Sequence, residues 1–241
     1  RLQKMRGLYD VRRKVPPSLH KGALTVRPDY VLFDFDGTLF DTSEGILKGI
    51  RAALESAGIA VGEDKELYKF IGPPVVQAFK EFYGMSEEEA QRLKAVYRNY
   101  YRDTGILQCR PVEGARACLD KLLPAGKTLA VATSKPEVFA RSILERYGFD
   151  GYFSAVEGGR LDETRSKKSE VIGAALAKLG VKELSRAIMV GDRKYDVLGA
   201  AEAGLSCIGI DTGFSEPHEL EDAGAVAVVK SFAELEKLLL G

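Results

Sequence analysis

Apolar positions along this chain fall into two alternating periods. Short apolar runs predict buried strands at Tyr30 to Phe33, Thr128 to Ala132, Tyr152 to Val156, Ala187 to Val190, Leu205 to Ile210 and Ala225 to Val229. Between them, helical spacing predicts helices over Val112 to Leu123, Pro136 to Tyr147 and Ser169 to Leu179. Others run up to Ala203, follow Pro217 and start at Phe232. Gly148 and Gly180 close two of these helices, as glycine commonly does. Strands of this length alternating with helices predict an α/β fold on a doubly wound parallel sheet, Rossmann-like in its layering.

One interval breaks the alternation. Ile46, Leu47, Ile50, Ala53, Leu54 and Ala57 share a helical face that stops at Gly58. Gly72-Pro73-Pro74 interrupts the next stretch, and Val75, Phe79 and Phe82 begin a second helix. Ser86 and Glu89 form a capping-box pattern for a third, whose Ala90, Leu93, Val96, Tyr97 and Tyr100 share a face. An all-helical domain over 41–108 is therefore expected, inserted into a core formed by 29–40 and 109–241. Turns are expected where the two meet, near Asp41 and from Gln108 to Pro111.

Charge sets residues 1–28 apart as a basic extension, with eight Lys or Arg and one Asp against 27 basic and 34 acidic residues in the rest. A basic arm suits an anionic surface such as nucleic acid. Arg12, Arg13 and Lys14 run into Pro16 and Pro17 with few aromatics to stack bases. A non-catalytic extension is the expectation, with no nucleic-acid partner expected. No apolar run approaches the ~20 residues needed to cross a bilayer, and no signal-peptide pattern precedes the first strand. Cys109, Cys118 and Cys207 are odd in number and lack metal spacing, which points to reduced thiols in a cytoplasmic protein. Two histidines leave a histidine-rich zinc site without ligands.

Candidate chemistry sits where strands end, the place ligands occupy in open α/β sheets. The first strand opens into Asp34, Asp36 and Asp41, with Gly37 and Thr38 between them. The second opens into Thr133-Ser134-Lys135-Pro136, and the fourth into Gly191-Asp192-Arg193-Lys194-Tyr195-Asp196. Lys167 and Lys168 precede the helix at Ser169. Each has a purely structural account. Asp41, Thr42 and Ser43 suit a helix cap, Ser134 with Glu137 suits another, and Asp192 and Asp196 suit a first helical turn. That account leaves Asp34 and Asp36 unexplained. Four acids gathered at one rim also repel one another unless a cation sits among them.

DFDGTLFD resembles the D-x-D-G-T/V signature of the haloacid dehalogenase-like hydrolases, and three further strand-end motifs follow in that family's order. The resemblance implies Asp34 as nucleophile toward phosphorus and Asp36 as general acid and base. It also implies Thr133 as a donor to a phosphate oxygen and a lysine facing the phosphate, Lys168 ahead of Lys167. Mg²⁺ is implied on the side chains of Asp34 and Asp192 and the backbone carbonyl of Asp36, with Asp196 orienting ligands or waters. Backbone N–H groups near Gly37, with Thr38 and Ser134, complete the implied phosphate site. A halide leaving group needs no acid, so the second Asp favours phosphoryl transfer over dehalogenation.

FIGPP, ATSKP, LDETR and GDRKYDVLGA are similar to the phosphoglycolate phosphatase-like group, whose members carry a helical cap. The implied activity is Mg²⁺-dependent hydrolysis of a small phosphorylated metabolite through an aspartyl-phosphate. The metabolite is 2-phosphoglycolate-like or a nucleoside 5′-monophosphate. A sugar-phosphate mutase and a pyrophosphatase are the alternatives on the same core. A binding module acting through the basic arm is the non-enzymatic one, and the completeness of the motifs argues against it. The Gly72-Pro73-Pro74 turn is the expected specificity element, with Arg51, Lys80 and Arg165 as anchors for a second anionic group.

Overall fold

The computed structural model describes residues 27–241 except 163 and 166, together with the backbone of 19–20 and 23–24. The basic extension otherwise lies outside the described residues. Leu19–His20 pairs antiparallel with Ala23–Leu24.

The chain enters the core on β1 (Tyr30–Phe33) and leaves through β2 (Phe40–Asp41). Three helices follow, α1 (Ser43–Ser56), α2 (Val75–Tyr83) and α3 (Glu87–Asp103), and β3 (Arg110–Pro111) brings the chain back. From there α4 (Ala115–Leu122), β4 (Thr128–Pro136), α5 (Glu137–Tyr147), β5 (Ala155–Gly159) and α6 (Lys168–Leu179) alternate. The chain ends on β6 (Ala187–Gly191), α7 (Lys194–Glu202), β7 (Ser206–Ile210), α8 (Glu219–Ala223), β8 (Ala227–Val229) and α9 (Phe232–Leu240).

Six strands form one parallel sheet in the order β8–β7–β6–β1–β4–β5. Along β1 the side chains alternate between the two faces, as a strand requires. Val31 and Phe33 join the layer of Leu119, Ile143 and Leu235, whereas Leu32 joins Ile172, Val197 and Ala200 on the other face. Burial on both faces explains why the strands read as unbroken apolar runs. Residues 43–107 carry an apolar cluster of their own around Ile50, Leu54, Leu67, Phe70, Phe79 and Leu93. α3 is capped reciprocally by Ser86 and Glu89. Among the described residues, no helix is long and apolar enough to cross a membrane.

The departures from the sequence reading lie at element ends. The two connections to the helical insert are not plain turns: Phe40 pairs with Pro111 and Asp41 with Arg110 in an antiparallel ladder. Running side by side, the two segments satisfy each other's backbone groups. The strand expected at Tyr152 to Val156 is instead Ala155–Gly159, preceded by a 3₁₀ turn at Asp150–Tyr152. Its terminal glycines let it lie against β4, since a Cβ on Gly159 would stand 2.6 Å from the Ser134 carbonyl oxygen. Ser134 does not cap α5, because β4 continues through Pro136 and α5 starts without a side-chain cap.

Candidate active site

The sheet changes direction of winding between β1 and β6, and the functional side chains gather there. Phe33 is level with Val131 of β4 and Val190 of β6, so Asp34, Thr133 and Asp192 fall one or two residues past the same level of the sheet. The Asp34 backbone N–H donates to the Val190 carbonyl at 2.9 Å. Gly37, at φ +85°, folds the following loop over Asp192; a Cβ there would stand 2.2 Å from Asp192 Oδ2. Thr38 Oγ1 donates to Asp192 Oδ1 at 2.8 Å.

Carboxylate oxygens of Asp34, Asp192 and Asp196 lie within 4.8 Å of one another, and all three residues are buried. Lys168, the first residue of α6, donates to Asp34 Oδ1 (2.5 Å) and to the Ala132 carbonyl (3.3 Å). Its ammonium also pairs with Asp196 Oδ1 at 2.8 Å. Asp196 Oδ2 accepts the Arg193 N–H (3.0 Å), so one oxygen caps α7 and the other faces the cluster. Among the described residues, none donates to the buried Asp192 Oδ2.

Burial pushes the Asp34 carboxyl from its ordinary 3.8 up to about 7; Lys168 opposes that rise, and the charges of Asp196 and Asp36 add to it. Burial, then Asp196 and Asp34, holds Asp192 well above the usual carboxylate range. Burial works against the Lys168 ammonium, but Asp196 and Asp34 outweigh it and keep the group charged. Three acids thus face one ammonium, with an oxygen left over. Hard oxygen donors, excess negative charge and the orphaned Asp192 Oδ2 fit Mg²⁺.

Asp36 sits beside this cluster and faces the insert. Its Oδ1 accepts from Thr42 Oγ1 (2.7 Å) and from Lys135 Nζ (2.8 Å). Lys135 also donates to the Tyr101 hydroxyl of α3 (2.5 Å), and its side chain is only 3% exposed. A second crossing seats the turn at 72–74. Buried Arg193 pairs with Glu219 (2.9 Å) and donates to the carbonyls of Tyr68 (3.2 Å) and Ile71 (2.6 Å). A cavity of about 80 Å³ opens from Asp36 between insert and sheet, with Gly72, Tyr97, Arg98, Ser134, Lys135 and Arg160 in its wall.

Residues 31–210 match the haloacid dehalogenase-like hydrolase family. The chain belongs to that family. A 5′-nucleotidase of Pseudomonas aeruginosa is 40% identical over 87% of this chain and 94% of its own. The tyrosine-protein kinase PtkA of Mycobacterium tuberculosis is 35% identical over 88% and 71%, and a phosphoglycolate phosphatase of Agrobacterium fabrum is 31% identical over 90% and 95%. The solved structure of a predicted phosphatase from Clostridium acetobutylicum superposes with a TM-score of 0.86 at 41% identity, covering 89% of this chain and 99% of that one. The protein is an enzyme of the family's phosphatase branch.

In this hydrolase the structure brings together Asp34, Asp36, Lys168, Asp192 and Asp196, with Thr38 bonded to Asp192. Thr133 is buried beside them and accepts the Lys135 N–H (3.2 Å). Lys167 is exposed along a wider groove that it shares with Ser134 and Lys168. The Gly37 N–H is donated to the Phe40 carbonyl (2.8 Å) and is not free for a phosphate.

None of the three expected anchors lines the cavity at Asp36, and Lys80 lies instead along the wider groove with Lys167 and Lys168. Arg51 pairs with Asp64 (2.8 Å) and donates to the Val61 and Gly62 carbonyls. Lys80 pairs with Glu87 (2.7 Å), and Arg165 with Glu157 (2.8 Å) and Glu137 (3.2 Å). Each cation is thus held by an acidic partner. The cations that do line the cavity are Lys135, Arg98 and Arg160, which sequence reasoning missed. The available signals were the lysine within ATSKP and the placement of Arg98 three residues before Tyr101, on one helical face.

Proposed function

We propose that this hydrolase cleaves a phosphomonoester dianion through an aspartyl-phosphate. Asp34 attacks phosphorus, the ester oxygen leaves with a proton from Asp36, and water then hydrolyses the acyl phosphate as Asp36 takes its proton. Lys168 and Thr133 hold the phosphoryl oxygens where charge builds. Mg²⁺, when bound by the side chains of Asp34, Asp192 and Asp196 and the Asp36 carbonyl, would neutralise the repulsion between a carboxylate nucleophile and a dianion. The observation that carries this reading is the buried triad of acids around Lys168 with Asp192 Oδ2 left without a donor.

The helical insert acts as a cap that closes over the leaving group and keeps water out. Three cations and one carboxylate line the cavity behind Asp36, and its volume is about 80 Å³. These features favour a short leaving group with its own anion, a 2-phosphoglycolate-like acid ahead of a nucleoside. The test is phosphate release from 2-phosphoglycolate, a nucleoside 5′-monophosphate and pyrophosphate, each with and without Mg²⁺. Strongest Mg²⁺-dependent release from the small acid is expected. Interconversion of two phosphosugars with no phosphate released would replace this reading with a mutase.

A further inference from the structure

Asp36 is bonded on one oxygen only. Both of its donors, Lys135 Nζ at 2.8 Å and Thr42 Oγ1 at 2.7 Å, reach Oδ1. Among the described residues no donor is bonded to Oδ2, and Asp36 lines the cavity. The two donors differ in kind. A hydroxyl can turn and accept instead, but an ammonium has donors alone. A proton on Oδ1 would therefore have only Thr42 to accept it and would stand against the Lys135 ammonium, which favours Oδ2 as the protonated oxygen. Lys135 itself has little freedom. It is buried, its second bond is to the Tyr101 hydroxyl at 2.5 Å, and its ammonium stands 4.5 Å from the centre of the Tyr101 ring. Tyr101 belongs to α3 of the insert, and Lys135 to β4 of the sheet.

Resting on the phosphatase reading above, we infer that Lys135 is a positioning residue of the reaction. It anchors Asp36 through Oδ1, so that Oδ2 is the atom that carries the proton to the leaving oxygen and later takes one from water. Tyr101 makes that anchoring depend on the insert being seated on the sheet. Lys135 touches neither phosphorus nor the breaking bond; it acts through Asp36.

This assignment separates from a merely structural role by leaving group. An alkoxide must be protonated as it departs, whereas p-nitrophenolate leaves without a proton. The quantity to measure is kcat/KM, which reports steps up to aspartyl-phosphate formation, for β-glycerol phosphate and p-nitrophenyl phosphate. Lys135→Met is expected to lower the value for the alkyl ester by about 10²-fold, the low end of what general acid catalysis contributes, and for the aryl ester by under about 10-fold. Tyr101→Phe keeps the ring, removes the acceptor, and is expected to show the same imbalance at smaller size. It carries the test alone if circular dichroism shows Lys135→Met unfolded.

Equal losses on the two esters overturn the inference and leave the phosphatase reading standing. A wild type that cleaves only the aryl ester overturns it too, since there is then no working acid to position. A wild type inactive on every phosphomonoester sinks both.

Discussion

The sheet side of the active site gathers buried acids, whereas the cavity toward the insert is lined mainly by cations. At the ends of β1 and β6, Asp34, Asp192 and Asp196 gather around Lys168. In the cavity toward the insert, Lys135, Arg98 and Arg160 share the wall with Asp36, and Arg98 donates to the Leu161 carbonyl at 2.8 Å. Burial makes the gathering of acids costly on the sheet side, where it drives Asp34 and Asp192 upward. On the proposed reading, a divalent cation completes the sheet side and an anionic leaving group the insert side, with the phosphoryl group between them.

Removing the nucleophile tests the sheet side hardest. Asp34→Asn keeps the shape and the Lys168 contact but removes the attacking charge, and activity is expected to fall by at least about 10³-fold. Unchanged far-UV circular dichroism is expected alongside, and retained turnover would break the assignment.

Metal-free protein should show the charge excess as a pH-dependent stability. Folded Asp34 keeps its proton up to about 7, whereas unfolded aspartate releases it near 3.8. The stabilisation is therefore fully present below about pH 4 and is lost as pH rises through about 7. Asp192 shifts in the same direction and carries the decline higher. Mg²⁺ should reverse it, raising Tm more at about pH 8 than at about pH 5. Asp192→Asn should abolish that gain while stabilising the metal-free protein at high pH by roughly 1–2 kcal/mol. Equal Mg²⁺ shifts at both pH values would show that the cluster is not where the ion binds.

On the insert side, Arg98→Ala should raise KM for an acidic leaving group by about 10-fold, the loss of one charge-assisted contact. It should change p-nitrophenyl phosphate little, and equal effects on both would remove the anionic-subsite reading. The smallest effects are expected at Arg51→Ala and Lys80→Ala. Their ion pairs are exposed or locally satisfied, so stability should move by about 0.5 kcal/mol or less and KM should not move.

The sheet side was largely legible in the sequence because each of its residues lies within a few positions of an apolar run. Asp34 follows Phe33 directly, Asp192 follows the end of β6, and Lys168 opens α6. Gly37 was legible as a loop glycine, but the 2.2 Å approach to Asp192 that demands it was not. The insert side was far less readable. The sequence gives Tyr97 and Tyr100 a common face with Leu93, yet it is Tyr101 that is buried and meets Lys135. Lys135 was visible within ATSKP, but its partner Asp36 is 99 residues away. Arg51 and Arg165 looked like free anchors because their acceptors, Gly62 and Asp64 for one and Glu137 and Glu157 for the other, are set by how loops fold back.

By itself the sequence determined the alternating sheet, the helical interruption and the acids at strand ends, because period and adjacency are local properties that survive in a one-dimensional string. The tertiary structure alone decided which cations face the cavity, which oxygen of Asp36 is held, and that Asp192 is left with an unpartnered oxygen. Those outcomes depend on distances between segments far apart in the chain, and burial amplifies each of them by removing the water that would otherwise have screened the difference.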